Sequence, residues 1–219
     1  MSLRINETAP NFVANTTIGE IDFHKWLGDS WGVLFSHPKD FTPVCTTELG
    51  YLAKIESKFK KRNVKIIGLS VDSISEHNEW KKDISATQGT DVNYPIIGDE
   101  NLEIAKLYNM LPANEVGISK ERNAANNATV RSVFIIGTDK KIKLILIYPM
   151  TTGRNFDEVI RVIDSMQLTA KHKVATPANW KYGEDVIITP AVSNEEAKNL
   201  FPNGWNEVTS YLRLTKQPR

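Results

Sequence analysis

The sequence contains a single cysteine, Cys45, among 219 residues. An intrachain disulfide is therefore impossible, and so is a zinc site made of several thiolates. No two of the four histidines have the spacing of metal ligands, so we expect neither a metal nor any other cofactor. So little cysteine is typical of proteins in reducing compartments, and we predict a cytoplasmic location.

An excess of charge of one sign is also missing. The chain has 27 Lys and Arg against 26 Asp and Glu, a formal charge of +1, which excludes a strongly basic nucleic-acid-binding surface. The longest apolar runs, Val133–Ile136 and Leu144–Tyr148, are far shorter than the ~20 residues of a membrane helix. The first ten residues include Arg4 and Glu7, so we expect no secretion signal and no integral membrane association.

Helical and strand patterns alternate along most of the chain. Trp31–Ser36 and Val64–Ser70 are compact apolar runs typical of buried strands, and a helix is predicted between them from Pro43 onwards. Arg131–Ile136 and Lys141–Tyr148 look like two paired strands. This alternation predicts a layered α/β domain over residues 1–169.

Other segments give weaker signals. A capping box at Ser73–Glu76 predicts a further helix, and Asn101–Asn109 reads as another. Met110–Ala128 shows little periodicity, so we predict a long loop. Residues 170–219 carry scattered aromatic residues, and Pro177, Pro190 and Pro202 interrupt the pattern, which indicates a small C-terminal domain or arm. A segment of this size is expected to lack a core of its own, so its aromatic side chains should pack on the main domain or on a second subunit.

Cys45 is the strongest candidate for chemistry. It falls in the first turn of the helix predicted from Pro43, where free N–H groups and a partial positive charge favour a thiolate. The alternative at this point is an ordinary buried structural cysteine.

The residues around Cys45 resemble a known motif. Pro38, Thr42 and Cys45 have the spacing P-x-x-x-T-x-x-C, which is the active-site motif of the peroxiredoxins, and Arg131 matches the active-site arginine of that family. The resemblance covers essentially the whole chain and is closest to the one-cysteine subfamily, the peroxiredoxin 6 type. It implies a thioredoxin-like fold, with a central mixed β-sheet flanked by helices and a small appended C-terminal domain.

The resemblance implies a thiol-dependent peroxidase that reduces hydrogen peroxide and organic or lipid hydroperoxides. The Cys45 thiolate would attack one peroxide oxygen and become a sulfenic acid. Because the chain has no second cysteine, an external thiol of the glutathione or thioredoxin type would have to reduce that acid. Thr42 would donate its hydroxyl group, and Arg131 would supply a permanent cation. A helix cap and a surface salt bridge are the alternative roles of these two residues.

Several residues are predicted to support the site. Pro38 is expected either to wall the pocket or only to shape its loop. Glu48 lies one helical turn beyond Cys45, and we expect it to bond Arg131 or Arg154 and so orient a guanidinium group. A glutamate exposed in the first helical turn is the alternative.

The sequence gives weaker indications of a role for the histidines. His37 follows the strand Trp31–Ser36 and could line the pocket and help proton movement, or it could be an ordinary strand-end histidine. His77 and His172 lie among polar residues, so we expect them to face solvent and to have no role.

A second motif, G-x-S-x-G, spans Gly28–Gly32 and is the nucleophile-elbow pattern of serine esterases. That elbow requires a strand before it and a helix after it, whereas here the predicted order is reversed. Mammalian one-cysteine peroxiredoxins are nevertheless described as phospholipases A2 through a serine, a histidine and an aspartate. The matching residues, Ser30, His24 and Asp139, define an alternative lipid-hydrolase site.

Two further alternatives concern the class of protein. A non-catalytic thioredoxin-like binding or chaperone module remains open, whereas a thioredoxin-type oxidoreductase is disfavoured because Thr42 stands where its C-x-x-C needs a cysteine. The resemblance also implies a homodimer in which the C-terminal part of one chain covers Cys45 of the other.

Overall fold

The computed structural model describes residues 3–113 and 128–218. The chain divides into two compact units, Met1–Arg154 and Asn155–Arg219. The boundary predicted after residue 169, between the α/β domain and the C-terminal domain or arm, stays a prediction. Most of the predicted loop Met110–Ala128, its residues 114–127, lies outside the described residues. Among the described residues no helix combines the length and hydropathy that crossing a membrane requires.

A mixed β-sheet is the centre of the first unit. In its described part the strands are β1 Val13–Thr16, β2 Gly19–Asp22, β3 Trp31–Ser36, β4 Val64–Ser70, β5 Ile96–Gly98, β6 Arg131–Ile136 and β7 Ile142–Tyr148. They lie in the order β2-β1-β5-β4-β3-β6-β7. The β3–β4 and β4–β5 pairs are parallel, and the other pairs are antiparallel. The predicted α/β class with a mixed sheet is confirmed.

The three central strands bring the candidate residues together where the strands end, on one side of the sheet. β3 is inserted between β4 and β6, and all three are almost entirely buried, which explains their unbroken apolar sequences. β3 and β6 are antiparallel, with Phe35 opposite Val133. The end of β3, which leads to Cys45, therefore lies beside the start of β6, where Arg131 stands.

Four helices are described in this unit: α1 Phe23–Leu27, α2 Pro43–Lys60, α3 Ile74–Gln88 and α4 Glu103–Leu107. α2 begins with Pro43, as predicted, and α3 begins with the predicted capping box of Ser73 and Glu76. α4 is shorter than the predicted Asn101–Asn109. The helix cannot extend backwards because Leu102 has a left-handed backbone, with φ of 61°.

The second unit has helices α5 Phe156–Lys171 and α6 Asn194–Leu200. Its described strands are β8 Val174–Ala175, β9 Val186–Ile188, β10 Asn206–Thr209 and β11 Leu212–Thr215, which form an antiparallel sheet in the order β10-β11-β9-β8.

This unit has a small core, so the expectation that it could not build one is wrong. Trp180 is completely buried and belongs to one hydrophobic cluster with Phe201 and Leu168. Leu168 comes from α5, most of which falls within the residues 1–169 that were predicted to form the main domain. Tyr182 and Tyr211 remain 70% and 72% exposed in this chain.

Candidate active site

Cys45 lies in the first turn of α2. It is a free cysteine with no exposed surface. The turn is held by its own backbone, since Thr46 N donates to Thr42 O at 3.0 Å. Thr42 occupies the N-cap position but makes no side-chain cap hydrogen bond. The thiol is thus placed at a helix N-terminus, where backbone N–H groups favour an anion.

Arg131 is in direct contact with the sulfur. Its Nη1 is 3.3 Å from Sγ of Cys45 and 2.7 Å from Oε2 of Glu48. Its Nε donates to the carbonyl oxygen of Met150 at 2.8 Å. Arg131 is only 2% exposed, so three acceptors fix a desolvated cation against the thiol.

Glu48 holds a second arginine. Nε of Arg154 is 2.9 Å from Oε1 of Glu48, and its Nη2 is 2.8 Å from Oε2. Nη1 of Arg154 donates to the carbonyl oxygens of Ser36 and Ser132, which belong to β3 and β6. The Glu48 carboxylate therefore joins α2 to the two central strands and orients both guanidinium groups.

The charges of this cluster favour an anionic sulfur. Burial raises the pKa of Glu48, but hydrogen bonds and the charge of Arg154, together with the charge of Arg131, outweigh burial and hold this pKa below its ordinary value. Glu48 is therefore ionised, and the cluster holds two buried cations against one buried anion. A negative charge on the sulfur of Cys45, next to Arg131, would balance the second cation.

The Glu48→Gln substitution tests this cluster. It removes the carboxylate charge that the two buried guanidinium groups share, so we expect the free energy of unfolding to fall by about 3–5 kcal/mol. The matched control is Glu79→Gln, which removes an exposed ion pair with Lys82 and should cost about 0–1 kcal/mol. Chemical denaturation measures both, and equal losses would contradict the account.

The ion pairs of Glu48 with the two arginines also predict that the stability of the protein depends on pH. Because the pKa of Glu48 is lower in the folded protein than in the unfolded chain, its stabilisation is complete above the unfolded value of about 4.5. It is lost as the pH falls through the folded pKa, where Glu48 takes up a proton. Denaturation should be measured between about pH 3 and 6. As the pH falls, the free energy of unfolding should decrease less in Glu48→Gln than in the parent protein.

Pro38 and Thr42 precede Cys45 in the sequence. The hydroxyl group of Thr42 donates to the carbonyl oxygen of Lys39 at 2.8 Å, so it neither caps the helix nor bonds the thiol. Pro38 is buried. Thr46, next to Cys45, accepts a hydrogen bond from the indole of Trp80 on α3 at 3.2 Å, which ties the first turn of α2 to that helix.

His37 belongs to a buried cluster that the sequence did not reveal. Its Nε2 is 2.7 Å from Oδ1 of Asp40, and Nδ1 of His77 is 2.5 Å from Oδ2 of the same residue. His77 is completely buried, so the expectation that it faces solvent is wrong. No local signal could have identified it, because His77 and Asp40 are 37 residues apart.

Two histidines and a carboxylate could in principle hold a metal ion, so their geometry decides. Ligands of a tetrahedral zinc ion lie about 3.3 Å apart, given bonds of about 2.0–2.1 Å. The two histidine–carboxylate contacts, at 2.7 Å and 2.5 Å, are shorter than that. Such distances suit a shared proton better than a metal.

The alternative hydrolase residues do not form a triad. Ser30 Oγ donates to Asn63 at 2.8 Å, His24 Nε2 bonds the carbonyl oxygen of Ala9 at 2.8 Å, and Asp139 pairs with Lys143. None of their side-chain hydrogen bonds joins one of the three to another. Ser30 precedes strand β3 as a turn residue, so the G-x-S-x-G match lacks the strand–turn–helix geometry of a nucleophile elbow.

Family comparisons cover both units of the chain. The model of the AhpC/TSA family matches residues 5–145, and the C-terminal domain of 1-Cys peroxiredoxin matches residues 165–204. The 1-Cys peroxiredoxin of Dictyostelium discoideum is 53% identical over 99% of this chain and 86% of its own length. Peroxiredoxin-6 of Rattus norvegicus is also 53% identical, over 99% of this chain and 98% of its own length.

Solved structures agree with the sequence relatives. The C45S mutant of the peroxiredoxin 6 of Arenicola marina is 51% identical, with a TM-score of 0.90 over 100% of both chains. A yeast mitochondrial 1-Cys peroxiredoxin, whose thiol is resolved via glutathione/thioredoxin systems, is 55% identical, with a TM-score of 0.90 over 98% of this chain and 99% of its own. The chain belongs to the AhpC/TSA family and, within it, to the 1-Cys peroxiredoxins, which are thiol-dependent peroxidases.

Proposed function

We propose that this 1-Cys peroxiredoxin uses Cys45 to reduce hydrogen peroxide and organic hydroperoxides. The observation that carries the proposal is the 3.3 Å contact between the Arg131 guanidinium and Sγ of Cys45. The thiolate sulfur attacks one peroxide oxygen, the O–O bond breaks, and the other oxygen leaves and takes up a proton as water or an alcohol. Cys45 is left as a sulfenic acid.

Each neighbouring residue has a role in this step. Arg131 stabilises the thiolate and the negative charge that develops on the leaving oxygen. Thr42 turns its hydroxyl group from Lys39 towards the peroxide, and the buried Pro38 excludes water. His37 donates from Nε2 to Asp40, which leaves Nδ1 as a buried proton acceptor. Burial lowers the pKa of His37 more than the hydrogen bond and charge of Asp40 raise it, so Nδ1 stays free of a proton and can accept one only transiently.

The sulfenic acid is reduced by an external thiol. The thiol sulfur displaces the sulfenic oxygen as water and forms a mixed disulfide with Cys45, and a second thiol then releases the free cysteine. The yeast relative supports donors of the glutathione or thioredoxin type. The single free cysteine also supports a reducing compartment, and we propose the cytoplasm.

A peroxide-consumption assay with each donor in turn tests the cycle. Without a thiol the protein should consume at most about three equivalents of peroxide per chain and then stop, because Cys45 passes from the sulfenic to the sulfinic and sulfonic acid and is not regenerated. Added glutathione or thioredoxin should sustain turnover. Sustained consumption in the absence of any thiol would contradict the proposal.

We further propose a homodimer in which strand β7 pairs with its copy. β7 is the last strand of the seven-stranded sheet, and its outer edge bonds Asn6 and Glu7 at Ile142. Beyond Ile142, no strand of the described residues pairs with this edge. Its side chains Leu144 and Leu146 are half-buried and Ile147 is 61% exposed. The exposed Tyr182 and Tyr211 support the second part of the proposal, that the C-terminal unit of one subunit lies near Cys45 of the other.

The Ile147→Asp substitution should convert the dimer to a monomer, because it places a charge in the apolar contact. The matched control is Val13→Asp, a residue that is also 61% exposed but lies on β1, inside the sheet order. Sedimentation velocity measures the state of both variants. We also expect bulky alkylating reagents to label Cys45 faster in the monomer. A dimer unchanged by Ile147→Asp would contradict the proposed interface.

A further inference from the structure

A buried chain of three titratable side chains includes one residue of the loop that leads to Cys45. His37, at the end of β3, and His77, on α3, each bond one oxygen of the Asp40 carboxylate. The two histidines are 0% exposed and Asp40 is 1% exposed. The peroxidase steps described above give no role to His77.

The hydrogen bonds determine where the protons are. Nε2 of His77 is 3.1 Å from the carbonyl oxygen of Ile97, which can only accept, so this nitrogen carries a hydrogen. The 2.5 Å contact between Nδ1 of His77 and Asp40 needs another hydrogen, because two facing lone pairs would repel. A hydrogen therefore lies between His77 and Asp40, and the ring of His77 is held at both nitrogens.

The electrostatics of Asp40 agree with this assignment. Burial raises the pKa of Asp40, but the hydrogen bonds and charges of His37 and His77 outweigh burial and lower this pKa to about 2. The carboxylate also keeps both of its oxygens occupied, one by each histidine. The contact between His77 and Asp40 is thus buried and depends on both side chains.

Asp40 is also held through its main chain. Its N–H donates to Oδ2 of Asp72 at 2.8 Å, and the same oxygen accepts the hydroxyl group of Ser70 at 2.7 Å. Asp40 is therefore fixed from the end of β3, from the end of β4 and from α3. We call His37, Asp40 and His77 the loop clamp.

The loop needs such a clamp because its next residue is strained. Phe41 has a φ of 55°, in the left-handed region that bulky residues avoid, and its side chain is 53% exposed. A backbone of this kind persists only where the surrounding structure determines it. Thr42, at the N-cap of α2, follows directly, so the strained residue lies between the loop clamp and the active-site threonine.

We propose that His77 is a positioning residue of the peroxidase site: through Asp40 it holds the loop that places Pro38 and Thr42 beside Cys45. The inference rests on the proposed function of Cys45. Because Cys45 has no exposed surface, a bulky thiol needs the loop to move, whereas peroxide attack needs the loop in place. Weakening the clamp should slow the peroxide step and make Cys45 more accessible to bulky reagents.

Two isosteric variants separate positioning from simple packing. His77→Asn keeps a donor near the Nδ1 position, where it can bond Asp40, whereas His77→Gln keeps one near Nε2, where it can bond Ile97 instead. We expect His77→Gln to lower the rate constant with peroxide at least about tenfold and to speed bulky alkylation of Cys45. His77→Asn should retain more of the peroxide rate than His77→Gln. Ile84→Val, a buried change on the same helix, controls for lost packing and should leave both rates unchanged.

A second route covers the case in which the His77→Gln variant does not fold. Asp72→Ala removes the acceptor of the Asp40 N–H group and should change both rates in the same directions. Equal peroxide rates in the Asn and Gln variants, or parental rates in folded His77→Gln or Asp72→Ala, would overturn the inference. Peroxide turnover that survives Cys45→Ser would instead overturn the proposed function, so the two failures are distinguishable.

Discussion

The Cys45→Ser variant should lose peroxide reduction by at least about a thousandfold, which is the scale on which enzymes lose activity with their nucleophile. A serine hydroxyl group is far less ionised than a thiol at neutral pH and is a weaker nucleophile. The substitution leaves the ion pairs of Glu48 with Arg131 and Arg154 in place, so the fold should persist. Peroxide consumption with an excess of thiol measures the loss.

Ser30→Ala is the matched comparison for this variant. Ser30 contributes only a hydrogen bond to Asn63 at a turn, so its loss should leave peroxide reduction unchanged. Residual turnover of a few per cent or more in a folded Cys45→Ser protein would contradict the role given to Cys45. Loss of peroxide reduction in Ser30→Ala would show that the turn has a role we have not assigned.

The Arg131→Ala variant should slow peroxide attack by about 10²–10³-fold, the usual cost of removing one preorganised charge-stabilising donor. The sulfur loses its 3.3 Å partner, while Glu48 keeps its bonds to Arg154. The thiolate is therefore less favoured. Alkylation of Cys45 by a small reagent at neutral pH should therefore be slower than in the parent protein.

Arg131→Lys gives a sharper version of the same test. Arg131 reaches Cys45, Glu48 and Met150 from two different nitrogens, and one ammonium group cannot reproduce that fork. We expect Arg131→Lys to keep the charge but to recover only a small part of the rate. Full activity in Arg131→Lys would mean that charge alone matters, and an unchanged alkylation rate in Arg131→Ala would contradict the thiolate contact.

Strands buried on both faces were the easiest part of the fold to predict. The bounds of β3 and β4 agree with the sequence prediction because both segments are compact, largely apolar runs of strand length. The limits of α4 were not predictable, because the left-handed backbone of Leu102 depends on tertiary packing. The core around Trp180 was missed because its members are spread thinly over the C-terminal segment and show no periodicity.

In the candidate site, too, local features could be predicted from the sequence and contacts between distant residues could not. The spacing of Pro38, Thr42 and Cys45 could be read from the chain, because the loop and the first turn of α2 are local. That Glu48 would bond both arginines at once depends on the register of β3 against β6. The pairing of Asp40 with His77 depends on α3 packing beside the loop, and no local pattern encodes it.

Mass spectrometry of the protein treated with one equivalent of peroxide tests the central claim most directly. The account predicts that the peptide containing Cys45 gains one oxygen atom, that a sulfenic-acid reagent captures it, and that an added thiol restores the original mass. Arg131→Ala should gain the oxygen much more slowly under the same conditions. An unmodified Cys45 while peroxide is consumed, or oxygen found mainly on other residues, would contradict the account.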